Sequence, residues 1–395
     1  MFRPKILCFV SHYLPGYKSG GPVKSINNLS EHLSRNFDFL IVTSDRDLND
    51  SHPYSSIRIN KWNKVGKVKV FYASNSFMNF NNISNLINET KHDILYLNSF
   101  FNFKFTTIPL VAKKFFLNTK NPCILAPRGE FSPEAIKINF WKKKIYILIV
   151  NLLGLYNKIS WQASCDNEYR DILTNRLIKK KFIKIAPDLP KKYISSKKLR
   201  LQRKKKRGGF LKVVFLSRIN PMKNLDFLIK VLIKTKKKIS LNIYGPIENE
   251  EYWKICKSLI KDLPKNITVN YKGVVKPDRI NLILSRYDLF ILPTRGESYG
   301  HVILESLTSC TPVLISDRTP WKTVKNAITV LSLKDKKKWT SEIEKWVDSE
   351  DDKVLKRRIS ALNFAKRYLL MRKNMKKNKN FFLQFINKNH KNRFN

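Results

Sequence analysis

The sequence predicts an α/β protein of two doubly wound, parallel-sheet domains. Short, wholly apolar runs recur along it, separated by segments with helical spacing of apolar residues, as in sheets covered on both faces. The series is interrupted once, by a Lys/Arg-rich stretch closing in Gly208-Gly209, and then begins again. The length of 395 residues suits two domains at about 150 residues each. Hydrophobic residues make up 43% of the chain, which supports real cores and excludes a wholly disordered protein.

In the first half, strands are expected at Lys5–Ser11, Phe39–Thr43, Val68–Tyr72, Ile94–Leu97 and Cys123–Ala126. A Gly/Pro turn, Pro15–Pro22, leads from the first strand into a helix starting near Val23, with Ile26, Leu29 and Leu33 on one face. In the second half, strands are expected at Leu211–Leu216, Ser240–Tyr244, Ile267–Tyr271, Leu289–Leu292 and Val313–Ile315. The expected organisation is a first domain over residues 1–190 and a basic linker over 191–210, containing Lys204, Lys205, Lys206 and Arg207. A second domain follows over 211–355, then a basic helical segment over 356–395 that can cross back to the first domain.

Lys plus Arg number 77 against 30 for Asp plus Glu, a formal charge of +47. Such an excess calls for an anionic partner or surface, although compositional bias toward Lys, Asn and Ile accounts for part of it. Five cysteines lie far apart without a CxxC pair, so neither a disulfide framework nor a zinc knuckle is expected. The apolar run Ile6–Val10 is too short for a signal-peptide core, and Ile145–Tyr156 is too short to span a bilayer. The chain therefore reads as cytosolic.

The chemistry concentrates in Leu289–Trp321, where a strand runs into the turn Pro293–Gly296 and a helix starts near Tyr299-Gly300. Ligands of open α/β sheets bind beyond the carboxyl ends of strands, and helix N-termini offer N–H groups to anions. Glu297 and Glu305 bracket that helix start. Carboxylates there would repel phosphate but suit sugar hydroxyls. Spacing alone is weak evidence: with 13 glutamates, about 0.4 E-x7-E pairs arise by chance, and Glu342/Glu350 is another such pair. The surrounding strand, turn and apolar helix face are what single out Glu297 and Glu305. A second constellation, Val213–Leu225, places Arg218 and Lys223 on the loop after a buried strand, where two cations suit a diphosphate. A third is the glycine turn Gly16–Pro22, which lacks both the Walker ending and the dinucleotide fingerprint.

With these residues in view, the chain resembles the GT-B glycosyltransferases of glycosyltransferase family 4 (glycosyl transferases group 1), most strongly over Val213–Trp321 and more weakly over Ile6–Glu134. The resemblance implies two Rossmann-like domains facing across a cleft. It places the donor diphosphate on Arg218 and Lys223, the transferred sugar on Glu297 and the ribose on Glu305. Backbone groups at Gly300, His301 and Val302 would hold phosphate, with Gly20, Gly21, Gly245, Ser298 and Tyr299 completing the donor side. Asn98, Arg128 and Glu130 fall on the acceptor side. Two positions depart from the pattern. Tyr96-Leu97-Asn98 stands where a histidine is common, so that Asn98 or Arg128 would take its place, and Cys310 stands where glycine is usual. The implied chemistry is retaining, front-face transfer from a nucleotide sugar, with no metal or other cofactor and with the domains closing over the donor.

Two other classes compete. Asp45-Arg46-Asp47 is a D-x-D of the kind that binds metal in GT-A transferases. The charge and the Phe/Tyr-rich stretch Phe100–Phe105 evoke nucleic-acid binding, but no RRM, KH or helix-turn-helix signature accompanies them, and no specific nucleic-acid partner is expected. The charge is better used by Phe140–Trp161, a lysine cluster beside an apolar run, which fits either a buried helix or an anionic membrane surface. The resulting expectation is a sugar transferase peripheral to the inner face of a bacterial cytoplasmic membrane. Its acceptor would be lipid-linked or an oligosaccharide, in O-antigen, capsule or similar lipopolysaccharide or surface-polysaccharide synthesis.

Overall fold

Two parallel sheets carry the chain in the computed structural model, which describes residues 3–117, 121–157, 159–174, 178, 180–192 and 208–391. The chain divides into an N-terminal unit, Met1–Lys192 with Arg372–Asn395, and a C-terminal unit, Tyr193–Met371. Most of the expected basic linker, residues 193–207, lies outside the described residues.

The N-terminal unit is built on β1 (Lys5–Phe9), β2 (Asp38–Ser44), β3 (Trp62–Val65), β4 (Val68–Ala73), β5 (Ile94–Asn98), β6 (Cys123–Ala126), β7 (Ser160–Ala163) and β8 (Ile183–Ile185). Their order is β3-β4-β2-β1-β5-β6-β7-β8. Every pairing is parallel except β3 with β4, a hairpin at the sheet edge. The apolar run Ile6–Phe9 of β1 follows from burial on both faces. Leu7 and Phe9 enter one core with Leu95, Leu97 and Trp161, while Ile6 and Cys8 enter the other with Ile26, Leu29 and Leu33. The helix Lys373–Lys391 closes this second core: the Phe382 ring lies 5.8 Å from Phe37 and 5.4 Å from Tyr96.

The C-terminal unit comprises β9 (Phe210–Leu216), β10 (Lys238–Tyr244), β11 (Ile267–Tyr271), β12 (Leu289–Leu292), β13 (Val313–Ser316) and β14 (Ile328–Leu331), all parallel, in the order β11-β10-β9-β12-β13-β14. Counted from β9 this is the 3-2-1-4-5-6 order of a dinucleotide-type sheet, whose strand order reverses between β9 and β12. The boundary expected at residue 355 falls inside the continuous helix Asp351–Leu370. That helix stays with the C-terminal unit because Phe364 and Tyr368 pack on Trp321, with ring centroids at 6.3 and 5.0 Å.

Candidate active site

The loops leaving β9, β10, β12 and β13 are laced together at the carboxyl edge of the C-terminal sheet, centred on the point where the strand order reverses. The first lacing joins the loops after β9 and β10. Gly245 has φ +134°, and a Cβ there would lie 1.9 Å from the carbonyl oxygen of Ser217, so no side chain fits. Ile219 then pairs with Ile247, its N–H donating to Pro246 O at 2.8 Å and its carbonyl accepting from Glu248 N at 3.1 Å. This parallel run sets Glu248 beside Arg218: Nη1 donates to Oε1 at 2.5 Å. The other carboxylate oxygen accepts from Asn220 Nδ2.

The second lacing joins the loops after β9 and β12. Asn220 Oδ1 caps the short turn Pro221–Lys223 by accepting from Lys223 N at 3.1 Å. Asn224, in the left-handed region at φ +61°, donates from Nδ2 to Pro293 O at 2.9 Å and accepts from Arg295 Nε at 3.0 Å. Arg295 N donates to Met222 O at 2.8 Å. The outcome is a contact between two side chains 74 positions apart: Lys223 Nζ donates to Glu297 Oε1 at 2.5 Å, with the two side chains only 11% and 14% exposed. The loop after β13 fixes the far side, since Glu297 N donates to Arg318 O at 3.0 Å and Ser316 Oγ to Thr294 O at 2.5 Å.

Beyond Glu297 the chain turns through Ser298 and Tyr299 into Gly300, at φ +76°, and the helix His301–Thr308 begins without a side-chain cap. A Cβ on Gly300 would sit 2.7 Å from Ile303 Cδ1. Trp321 anchors the turn by donating from Nε1 to Tyr299 O at 2.6 Å, and the Tyr299 ring lies 4.6 Å from that of His301. Ile303, Leu304, Ser306 and Leu307 are buried, leaving His301, Val302 and Glu305 on the half-open face. Arg218, Lys223, Gly245, Glu297, Gly300, His301, Val302 and Glu305 thus all belong to this one edge. Glu248, Asn220 and Asn224 escaped the sequence reading. The acidic tract Glu248–Glu251 directly after a strand, in a chain so poor in Glu, was the available signal.

The candidate residues of the N-terminal unit form a different kind of arrangement, again where strand order reverses, between β1 and β5. Asn98 and Arg128, two possible replacements for one histidine, are bonded to each other: Asn98 Oδ1 accepts from Arg128 Nε at 3.1 Å and Nη2 at 2.8 Å. Arg128 also donates to Tyr96 Oη at 2.7 Å and forms an ion pair with Asp188, whose other oxygen accepts from Ser25 Oγ at 2.7 Å. Burial opposes the charge on Arg128, but Asp188, Tyr96 and Glu168 together more than offset it and raise the guanidinium pKa. Glu130, which the resemblance puts on the acceptor side, has its carboxylate engaged by the loop after β5. Its oxygens accept from Ser99 Oγ at 2.6 Å and from the backbone N–H groups of Phe100 and Phe101, so it shapes that loop. Burial pushes the Glu130 pKa upward, with those donors working against the shift.

The D-x-D also changes meaning. Asp45 pairs with Arg46 at 2.8 Å, and Asp47 Oδ2 accepts from Tyr17 N at 2.7 Å and Lys18 N at 3.0 Å. Asp47 thereby braces the glycine turn that leads to Gly20 and Gly21. Among the described residues no group of three or more His, Cys, Asp or Glu could hold a metal ion. Cys310, where the resemblance expects glycine, has φ +58°, a conformation glycine adopts freely.

Comparison with known proteins adds the following. Residues 196–364 match the model of the family described as glycosyl transferases group 1. HepE from Anabaena, solved in complex with UDP and glucose, superposes with a TM-score of 0.68 at 13% identity, over 97% of this chain and 99% of that one. The fold is GT-B. This GT-B chain also superposes on sucrose-phosphate synthase from Thermosynechococcus elongatus, with a TM-score of 0.63 at 12% identity over 93% of this chain and 98% of that one. A protein of Klebsiella pneumoniae described as an uncharacterized 41.2 kDa protein in the cps region is 25% identical over 238 residues, 58% of this chain. The match spans about three fifths of that relative, 61% of its length.

Proposed function

We propose that the protein is a retaining, metal-independent glycosyltransferase of the family 4 type. In this reading it moves a sugar from a nucleotide-sugar donor to a lipid-linked or oligosaccharide acceptor during bacterial surface-polysaccharide synthesis. The observation that carries the reading is the convergence of Arg218, Lys223, Glu297 and the start of helix His301–Thr308 at the switch point of the C-terminal sheet. Cations and helix N–H groups in one place suit a diphosphate leaving group, whose developing charge is stabilised electrostatically. Arg218 offers a planar fork and Lys223 a point charge. Glu297, steered by Lys223, takes the transferred sugar, and Glu305, on the open face one turn into the helix, takes the ribose.

The N-terminal unit supplies the acceptor side, with the Arg128–Asn98 pair at the end of β5 as its fixed polar element. The HepE complex with UDP and glucose favours a nucleotide-sugar donor, and the cps-region relative favours capsule-type polysaccharide. The test is release of nucleoside diphosphate from UDP-, GDP-, ADP- and dTDP-sugars incubated with the full chain and a bacterial lipid extract. One donor class should be consumed, and Glu297→Ala should abolish its consumption. Consumption unaffected by Glu297→Ala would overturn the assignment.

A further inference from the structure

The helix Phe140–Leu152 is apolar from Ile145 to Val150, yet of its 13 residues only Val150 is buried. Trp141, Ile145, Leu148 and Leu152, at i, i+4, i+7 and i+11, form one stripe, in which Trp141 is 71% exposed and Leu152 78%. The neighbouring segment continues the apolar surface with exposed Phe115 and Phe116, tied to the end of the helix by Lys114 Nζ donating to Gly154 O at 2.8 Å. Lone exposed apolar side chains are ordinary, but a contiguous patch of this kind marks an interaction surface.

Charge identifies the partner. Between Ile94 and Cys165 the sequence holds ten Lys/Arg and two acids. Of those acids, Glu130 is consumed by the loop after β5, and Glu134 pairs with Lys137 at 3.1 Å. Lys142 and Lys144 flank the stripe on either side, and Lys144 Nζ lies 5.5 Å from the centre of the Trp141 ring. A second copy of the chain would bring lysines against lysines here. An anionic lipid surface takes both the apolar row and its basic margins. No described helix is long and apolar enough to cross a membrane, so this one would lie in the interfacial plane.

We infer that helix Phe140–Leu152 with Phe115 and Phe116 is a docking surface for the anionic face of a lipid bilayer, with Trp141, Ile145, Leu148 and Leu152 inserted among the headgroups and Lys142 and Lys144 paired with lipid phosphates. The inference extends the transferase reading by naming where a lipid-carried acceptor is met, but its test uses no donor and reads no transfer. The full chain is floated with vesicles of phosphatidylcholine, with and without 30 mol% phosphatidylglycerol, at low and physiological salt.

The wild-type chain should co-float with the anionic vesicles and retain part of that binding at physiological salt. A Trp141→Glu/Leu148→Glu variant should partition at least tenfold less. Lys142→Glu/Lys144→Glu should lose binding mainly at low salt. Both variants alter exposed side chains, so unchanged melting should accompany the loss. Failure of the wild-type chain to float with anionic vesicles would overturn the inference. So would equal binding by the Trp141→Glu/Leu148→Glu variant, which would place binding on the general positive charge. Light scattering showing a dimer that this variant dissociates, without vesicle binding, would overturn it in favour of self-association.

Discussion

Glu248 pairs with Arg218 in the candidate site, and removing its charge should tighten nucleoside diphosphate binding. Arg218 and Glu248 are 29% and 27% exposed at 2.5 Å, and a pair so accessible contributes about 1 kcal/mol or less. Exchanging it for a phosphate is therefore easy. The larger effect is the carboxylate left behind: at about 6 Å from a phosphate charge and an effective dielectric of about 20, repulsion is about 2.8 kcal/mol, and salt screening reduces it roughly by half. Glu248→Gln keeps the size of the side chain and removes its charge. It should lower the Kd for the free diphosphate by about 5- to 20-fold, corresponding to about 1–1.8 kcal/mol. Isothermal titration at 50 and 300 mM salt measures this, and the advantage should shrink at the higher salt. An unchanged or weaker affinity would refute the reasoning and make Glu248 a support for Arg218.

Further outcomes follow from the same geometry. Arg218→Ala and Lys223→Ala should each weaken diphosphate binding by about 10- to 100-fold, the range for a charged hydrogen bond, and a change under twofold in titration would exclude that residue from the cradle. Gly245→Ala should lower the melting temperature and reduce donor binding, because φ is +134° and the new Cβ would meet Ser217 O at 1.9 Å; wild-type melting would contradict this. His92, with Nδ1 2.7 Å from Thr90 O, has its pKa lowered chiefly by burial. The unfolded chain then binds the proton more readily, so stability should fall as pH drops below about 6.5 and level off once the folded imidazole protonates. His92→Gln should flatten that part of the urea-midpoint curve between pH 7.5 and 5, and an identical slope would refute the assignment.

The strands legible in the sequence are those buried on both faces. Cys123–Ala126 and Leu289–Leu292 have the expected bounds, because continuous apolar runs leave little choice of register; the edge strand Ile267–Tyr271, with only Ile267 buried, also has the expected bounds. The strands that escaped, β3, β7, β8 and β14, lie toward the sheet edges or are short. Trp62–Val65 has no fully buried residue and carries Asn63 and Lys64 at its centre, so it reads as loop chemistry. In the candidate site, residues close in sequence with a motif around them stood out, as with Arg218/Lys223 on one loop and Glu297/Glu305 across a loop and the helix after it. Contacts between loops were not. The Lys223–Glu297 pair and the Glu248 clamp depend on strand order, which sequence spacing does not encode. The bonding of Glu130 was not legible either, because a carboxylate after a strand looks the same in sequence whether it faces a ligand or the N–H groups of a neighbouring loop.

The central claim, that the β9/β12 switch point of the C-terminal unit holds a nucleotide-sugar diphosphate, is tested most directly by a thermal-shift panel. UDP-, GDP-, ADP- and dTDP-sugars would be compared on the wild-type chain and on Arg218→Ala and Glu305→Ala. A ligand at a hundredfold excess over its Kd stabilises the native state by about 2.7 kcal/mol. The account predicts a rise in melting temperature from one nucleotide class, lost in both variants. A rise that persists in both variants, or no rise with any nucleotide sugar in a folded sample, would contradict it.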